Sequence, residues 1–287
     1  MSNFMDYRKK ANASSLSERM ERMEGGRKNY KDDRIWKLST DKSGKGAALI
    51  RFLPPTEGEE NEIVQVYKHS FGSKSAGFFI ENCPTTIGQK CPVCEANSAL
   101  YEANRGDDAK GRTRNLKYYA NIIVLEDKAN PENNGKVFIY EFGKQIFDKI
   151  KRVVTPESSL DVSIPDPFCP INGANFVVRA KKVAGFLKYD ESAFVAPSPL
   201  FDGDNDKING VWKKQYPLAP FVHPSAFKSY AELKNRFDKV TGKLKNGGGG
   251  AKTAEDAMES SAHGGESPVS EDVPDGQDPL EYFKNME

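Results

Sequence analysis

His69, Cys83, Cys91 and Cys94 stand in the pattern His-x13-Cys-x7-Cys-Pro-Val-Cys. A Cys-x2-Cys turn places two thiolates within reach of one ion, and zinc completes its tetrahedron with two further sulfur or nitrogen ligands. Prolines follow Cys83 and Cys91 and stiffen both turns. Four protein ligands would leave no position for a catalytic water, so the expectation is one structural Zn2+. A redox Cys-x-x-Cys pair and unrelated buried cysteines are the competing readings. Redox chemistry would need a βαβ context and leaves Cys83 and His69 unexplained.

Catalytic signatures are missing elsewhere. A zinc deaminase needs His-x-Glu and Pro-Cys-x-x-Cys, whereas His69-Ser70-Phe71 and Lys90-Cys91 stand here. There is no Walker A loop, no His-Glu-x-x-His and no Gly-x-Ser-x-Gly. Of the three histidines, His223 and His263 have no partner at motif spacing, and Cys169 reads as a small buried hydrophobe. The expectation is a binding protein, not an enzyme.

Aromatic and basic residues interleave in three runs: Arg112, Arg114, Lys117, Tyr118 and Tyr119; Lys136, Phe138, Tyr140, Phe142 and Lys144; Arg179, Lys181, Lys182, Phe186, Lys188 and Tyr189. Bases of a single strand stack on aromatic rings while Lys and Arg track phosphates, so this mixture suits single-stranded nucleic acid. Each ring taken alone is better explained by core packing, and it is the set of three runs that points to a strand. A zinc-stabilised protein-interaction adaptor without nucleic-acid affinity and an RNA-binding regulator are the alternatives.

The elements that must position these residues are mostly strands. Residues 47–53, 63–67, 118–125, 136–142 and 175–183 are short, rich in β-branched and aromatic types, and bounded by turn formers. Helical spacing is confined to 95–104, 142–153 and 225–240. The fold expected is mainly β with peripheral helices, a small barrel carrying insertions.

Charge is segregated along the chain. Residues 251–287 hold ten acids against two lysines, whereas residues 1–250 hold 40 bases against 31 acids. Four glycines, Gly247 to Gly250, form the join, and the composition beyond them is that of a disordered tail. At the other end Arg8, Lys9 and Lys10 precede an amphipathic pattern of Leu16, Met20 and Met23. No stretch is apolar enough for a membrane span.

The blocks AALIRFLP (47–54), the 69–94 cluster, 118–150 and 169–192 resemble, in order, the single-stranded DNA-binding protein of T-even-type bacteriophages. The resemblance implies an OB-fold barrel core with an inserted zinc-binding subdomain at 27–246. It implies a basic arm at 1–26 for cooperative self-association through Arg8, Lys9 and Lys10. It further implies an acidic tail at 247–287 that contacts replication and recombination proteins such as polymerase, helicase loader and recombinase mediator. His69, Cys83, Cys91 and Cys94 match the family's zinc ligands, and Tyr101, Tyr118, Tyr140, Phe186 and Tyr189 its DNA-contacting aromatics. Tyr119 falls where the family can carry Trp, and Arg51, Arg114 and Lys117 are the expected phosphate contacts. The implied role is coating single strands in phage DNA replication, recombination and repair, in the cytoplasm of the infected host.

Overall fold

Period-two alternation of apolar residues builds most of the chain into sheet. The computed structural model describes residues 32–158 and 162–242, and the basic arm, the glycine join and the acidic tail lie outside the described residues. In chain order the strands are β1 (Ile35–Trp36), β2 (Gly46–Phe52), β3 (Ile63–Ser73), β4 (Gly77–Asn82), β5 (Arg114–Asp127), β6 (Val137–Phe142), β7 (Ala174–Val183), β8 (Phe186–Lys188) and β9 (Ala193–Pro197). Between and after them lie the helices α1 (Pro92–Glu102), α2 (Gly106–Lys110), α3 (Lys144–Val154), α4 (Asn205–Trp212) and α5 (Tyr230–Val240).

All five expected strands form, but two are longer than the apolar runs that announced them. β3 continues to Ser73 and β5 begins at Arg114, because these polar extensions pair with each other through Lys68↔Asn115 and His69↔Arg114. β5 is the spine of the sheet. One of its edges pairs first with β3 and then, beyond Asn121, with β2; the other pairs with β6. The path runs β1-β6-β5-β2-β7-β8, with β4 added to β3 and β9 to β7. This path is open at both ends, so the expected closure into a barrel is not made. The open sheet instead packs on one apolar face.

That face is built by alternate residues: Ala48, Ile50 and Phe52 from β2, Ala120, Ile122 and Val124 from β5, Tyr140 and Phe142 from β6, Phe176 and Val178 from β7. Phe52 is fully buried, with the rings of Phe142, Phe168 and Phe176 at 5.6–5.9 Å. Helix α3 caps the same core with Ile146 and Ile150. A second cluster, Phe71, Phe79, Val93, Leu233 and Phe237, joins the β3–β4 hairpin to α1 and α5 around Cys83 and Cys91. Ser229 gives α5 a capping box with Glu232, which fixes where that helix starts. Glu81 then holds α5 to β4 through Lys228 and Arg236.

Candidate metal centre and nucleic-acid interface

Three different elements deliver the four expected ligands to one point. His69 lies on the extended part of β3, Cys83 directly follows β4, Cys91 caps α1, and Cys94 sits in that helix's first turns. Pro92 occupies the first helical position, where a missing N–H costs nothing. Gly88, at φ 73°, closes the 3-10 turn Pro84–Ile87 that carries the chain from Cys83 back towards Cys91.

The donor atoms of all four residues lie within 4.8 Å of one another. Cys83 Sγ is 3.5 Å from Cys94 Sγ, and His69 Nε2 is 3.5 Å from Cys91 Sγ and 3.4 Å from Cys94 Sγ. With zinc-sulfur bonds of about 2.3 Å and zinc-nitrogen bonds of about 2.0 Å, a tetrahedron has edges of about 3.5–3.8 Å, so the spacing fits. Nδ1 of His69 donates to the carbonyl of Arg112 at 2.9 Å, which leaves Nε2 as the free lone pair facing the sulfurs. Asn97 donates to the same carbonyl at 3.1 Å.

The four donors also perturb one another's protonation. Burial pushes the His69 imidazole down, yet hydrogen bonds and charge from Cys83 and Cys91 carry it up to about 9. Hydrogen bonds from Cys91 and Cys94 hold the Cys83 thiol far below its ordinary value, while Cys83 and Cys91 push the Cys94 thiol up. A metal ion can be held by these four residues once it displaces the protons they share.

Thr85 connects this centre to a surface. Its hydroxyl lies 3.1 Å from Cys83 Sγ and accepts from Arg114 Nη1 at 2.6 Å. The guanidinium of Arg114 in turn lies 4.1 Å over the ring of Tyr67. Tyr67 is pinned from the same turn: its N–H donates to Thr86, and its carbonyl accepts from the N–H of Cys83. Directly opposed residues share a side of the sheet. The pairs Tyr67↔Leu116 and Gln65↔Tyr118 therefore extend the inner face beyond the core as a path of Arg114, Tyr67, Leu116 and Tyr118. All but Tyr118 are partly exposed, and Tyr118 closes the path with its ring stacked on Phe147 at 4.1 Å. Burial and the charge of Asp148 push the Tyr118 phenol up to about 12, so it stays neutral.

The other expected contact residues are distributed unevenly. Tyr118, Tyr140 and Tyr189 come together in one apolar cluster at 6, 4 and 4% exposure. Tyr101 lies on α1 and Phe186 on β8, both partly exposed and on separate elements. Arg51, Lys117 and Tyr119 face the opposite side of the sheet and are already engaged there. Arg51 is fully buried, donating to the carbonyl of Cys169 at 2.7 Å and to Asn175 Oδ1 at 3.3 Å, and desolvation pulls its pKa down. Gly173 allows this, since a Cβ there would sit 3.0 Å from the guanidinium and 2.5 Å from the Cys169 carbonyl. Tyr119 donates to Glu141 at 2.5 Å, beside Lys68. Burial alone would push the Glu141 carboxyl up, but Lys68, Lys117 and Tyr119 hold it down to about 2.

Tyr67 is the residue that sequence reasoning missed. No local signal marks it, because its partner Arg114 is 47 residues away and their meeting depends on the β3–β5 register.

A β core packed on one face, with a Cys3His cluster that could hold a metal ion and an aromatic and cationic path alongside, defines a binding scaffold, with no constellation for nucleophilic or acid–base chemistry among the described residues. Residues 44–241 match the family described as gp32 DNA binding protein like. The chain belongs to that family, one of binding proteins, not enzymes. It is similar to the single-stranded DNA-binding protein of Enterobacteria phage T2, 35% identical over 256 residues that cover 87% of this chain and 84% of the relative. The single-stranded DNA-binding protein of Enterobacteria phage T4 is 34% identical over 255 residues, with the same shares covered. A third, from Escherichia phage SV14, is 34% identical over 91 residues, covering 30% of this chain and 80% of the relative.

Proposed function

We propose that this chain binds single-stranded DNA along the inner-face path of Arg114, Tyr67 and Leu116, closed by Tyr118, with the partly exposed Tyr101 and Phe186 as further stacking rings and the buried Tyr140 and Tyr189 supporting the path from the core. The observation that carries this reading is the Tyr67–Arg114 pair at 4.1 Å. It sets a π-face beside a cation on the open part of the sheet, in a chain whose relatives are named for single-stranded DNA. Stacking accepts every base, and the cation neutralises phosphate, so the binding is tolerant of sequence. Arg51, Lys117 and Tyr119 act as positioning residues beneath the sheet, not as contacts.

The ion is zinc, one per chain and structural, since three thiolates and an imidazole at tetrahedral spacing suit it. The core is a partly open barrel of the OB type, in keeping with a sheet packed on one apolar face. Residues 1–26 join neighbouring copies cooperatively through Arg8, Lys9 and Lys10. Residues 247–287 contact polymerase, helicase loader and recombinase mediator, and the protein coats strands in phage replication, recombination and repair in the host cytoplasm. Among the described residues no helix is long and apolar enough to cross a membrane.

Anisotropy of a labelled oligo(dT), set against a duplex of equal length at several salt concentrations, tests the reading. The single strand should bind preferentially, with a log–log salt slope of about −0.7 per phosphate neutralised. Equal affinity for the duplex, or none for either, overturns it.

A further inference from the structure

Two consecutive threonines of one turn hold the two halves of the Tyr67–Arg114 pair. In the 3-10 turn Pro84–Ile87, Thr86 Oγ1 accepts from the main-chain N–H of Tyr67 at 2.9 Å, and Thr85 Oγ1 accepts from Arg114 Nη1 at 2.6 Å. The turn is itself tied at both ends. The N–H of Cys83 donates to the carbonyl of Tyr67 before it, and the N–H of Gly88 donates to the carbonyl of Thr85 after it. Pro84 fixes the backbone at the first position, and the β-branch of threonine restricts χ1, so the Thr85 hydroxyl has little freedom to move away from Arg114.

The direction of these hydrogen bonds follows from the donors present. A guanidinium only donates, so the Thr85 oxygen receives from Arg114 and its own proton is left for another acceptor. The acceptor in reach is Cys83 Sγ at 3.1 Å. Arg114 is therefore held at two points, by one N–H on Thr85 and by its Cζ 4.1 Å over the Tyr67 ring. Among the described residues no carboxylate engages it, and its other N–H groups remain for a ligand. We infer that Thr85 is a positioning residue for strand binding: its hydroxyl locks the Arg114 guanidinium over Tyr67, so that a phosphate meets a preformed fork of N–H donors. A long arginine side chain ordered on folding loses no further rotamer freedom on binding, and its planar fork matches a phosphate in a way that a mobile charge does not. The inference rests on the proposed DNA path and adds the residue that fixes its cation.

The test uses the full chain carrying its metal, with metal analysis of every variant. Thr85→Val keeps the shape and the β-branch but removes the hydroxyl, and Thr85→Ser keeps the hydroxyl; Thr85→Ala replaces the valine variant should valine disturb the turn. With metal content unchanged, Thr85→Val should weaken oligo(dT) binding on the order of tenfold, the effect of losing one hydrogen bond to a charged group. Its log–log salt slope should be shallower by about 0.7, one phosphate contact. Thr85→Ser should bind as the parent does. In an Arg114→Ala background, Thr85→Val should bring no further loss, because the hydroxyl acts through that side chain. Parent-like binding by Thr85→Val, or equal losses with and without Arg114, overturns the inference and leaves the DNA-binding reading in place. A loss of affinity that only follows loss of the metal overturns it too, in favour of a purely structural role at the metal centre. If the parent itself does not bind oligo(dT), the DNA-binding reading falls and the inference falls with it.

Discussion

Glu141 shows how much of this surface is set from behind. Its carboxyl, ordinarily near 4.5, is held down to about 2 by Lys68, Lys117 and Tyr119 against the cost of burial. A depressed carboxylate contributes stability that is complete above its unfolded pKa and lost as pH falls through the folded one. The shift corresponds to about 3 kcal/mol, present at pH 5 and above and fading towards pH 2. Glu141→Gln should therefore destabilise the chain at neutral pH, and the gap from the parent in urea titrations should narrow between pH 5 and pH 2. Tyr67→Ala removes the partner of Arg114 and a stacking surface, so oligo(dT) affinity should drop by about 5- to 150-fold, the equivalent of one stacked base at about 1–3 kcal/mol. At this scale the metal ligands were legible, because Cys-x2-Cys is a local pattern. The contact residues were less so: Arg51 reads as a surface base in AALIRFLP, and only the 166–175 loop folding over it shows why it is buried.

At the scale of elements, the 3-10 turn Pro84–Ile87 joins the metal centre to the Tyr67–Arg114 pair through Thr85 and Thr86. Metal removal should act on both ends of that connection. Chelation, or Cys91→Ser, should release the bound ion, lower the melting temperature and weaken oligo(dT) binding, as read by metal analysis, calorimetry and anisotropy together. An apolar cluster of Phe71, Phe79, Val93, Leu233 and Phe237 would remain in the lobe, so local loosening with the main core intact is the expected pattern. In the β7–β8 hairpin, Ala184 and Gly185 both take positive φ, 50° and 88°. Only glycine adopts that conformation without strain, so Ala184→Gly should raise stability by up to about 1 kcal/mol, seen as a higher melting temperature. The five long strands were legible from alternation. Strands β1, β8 and β9 were not, since two to five residues cannot display a period, and α4 was hidden by its polar Asn-Asp-Lys start.

For the whole molecule, the sequence announced a β-rich core but not how the sheet ends. Closure depends on which strands meet across the molecule, and β5 reveals its hand-over from β3 to β2 only in three dimensions. The strands at the free margins are short: two residues in β1, three in β8, and five in β9, which finishes on Pro197. The longer margin at β4 lies against α5. Exposed margins of unpaired main chain are templates for cross-chain β-pairing, and brevity, proline and a covering helix are the usual protections. Crowding should bring neighbouring copies together without fusing their sheets, so concentrated samples should remain free of thioflavin-binding aggregates while the fold is intact.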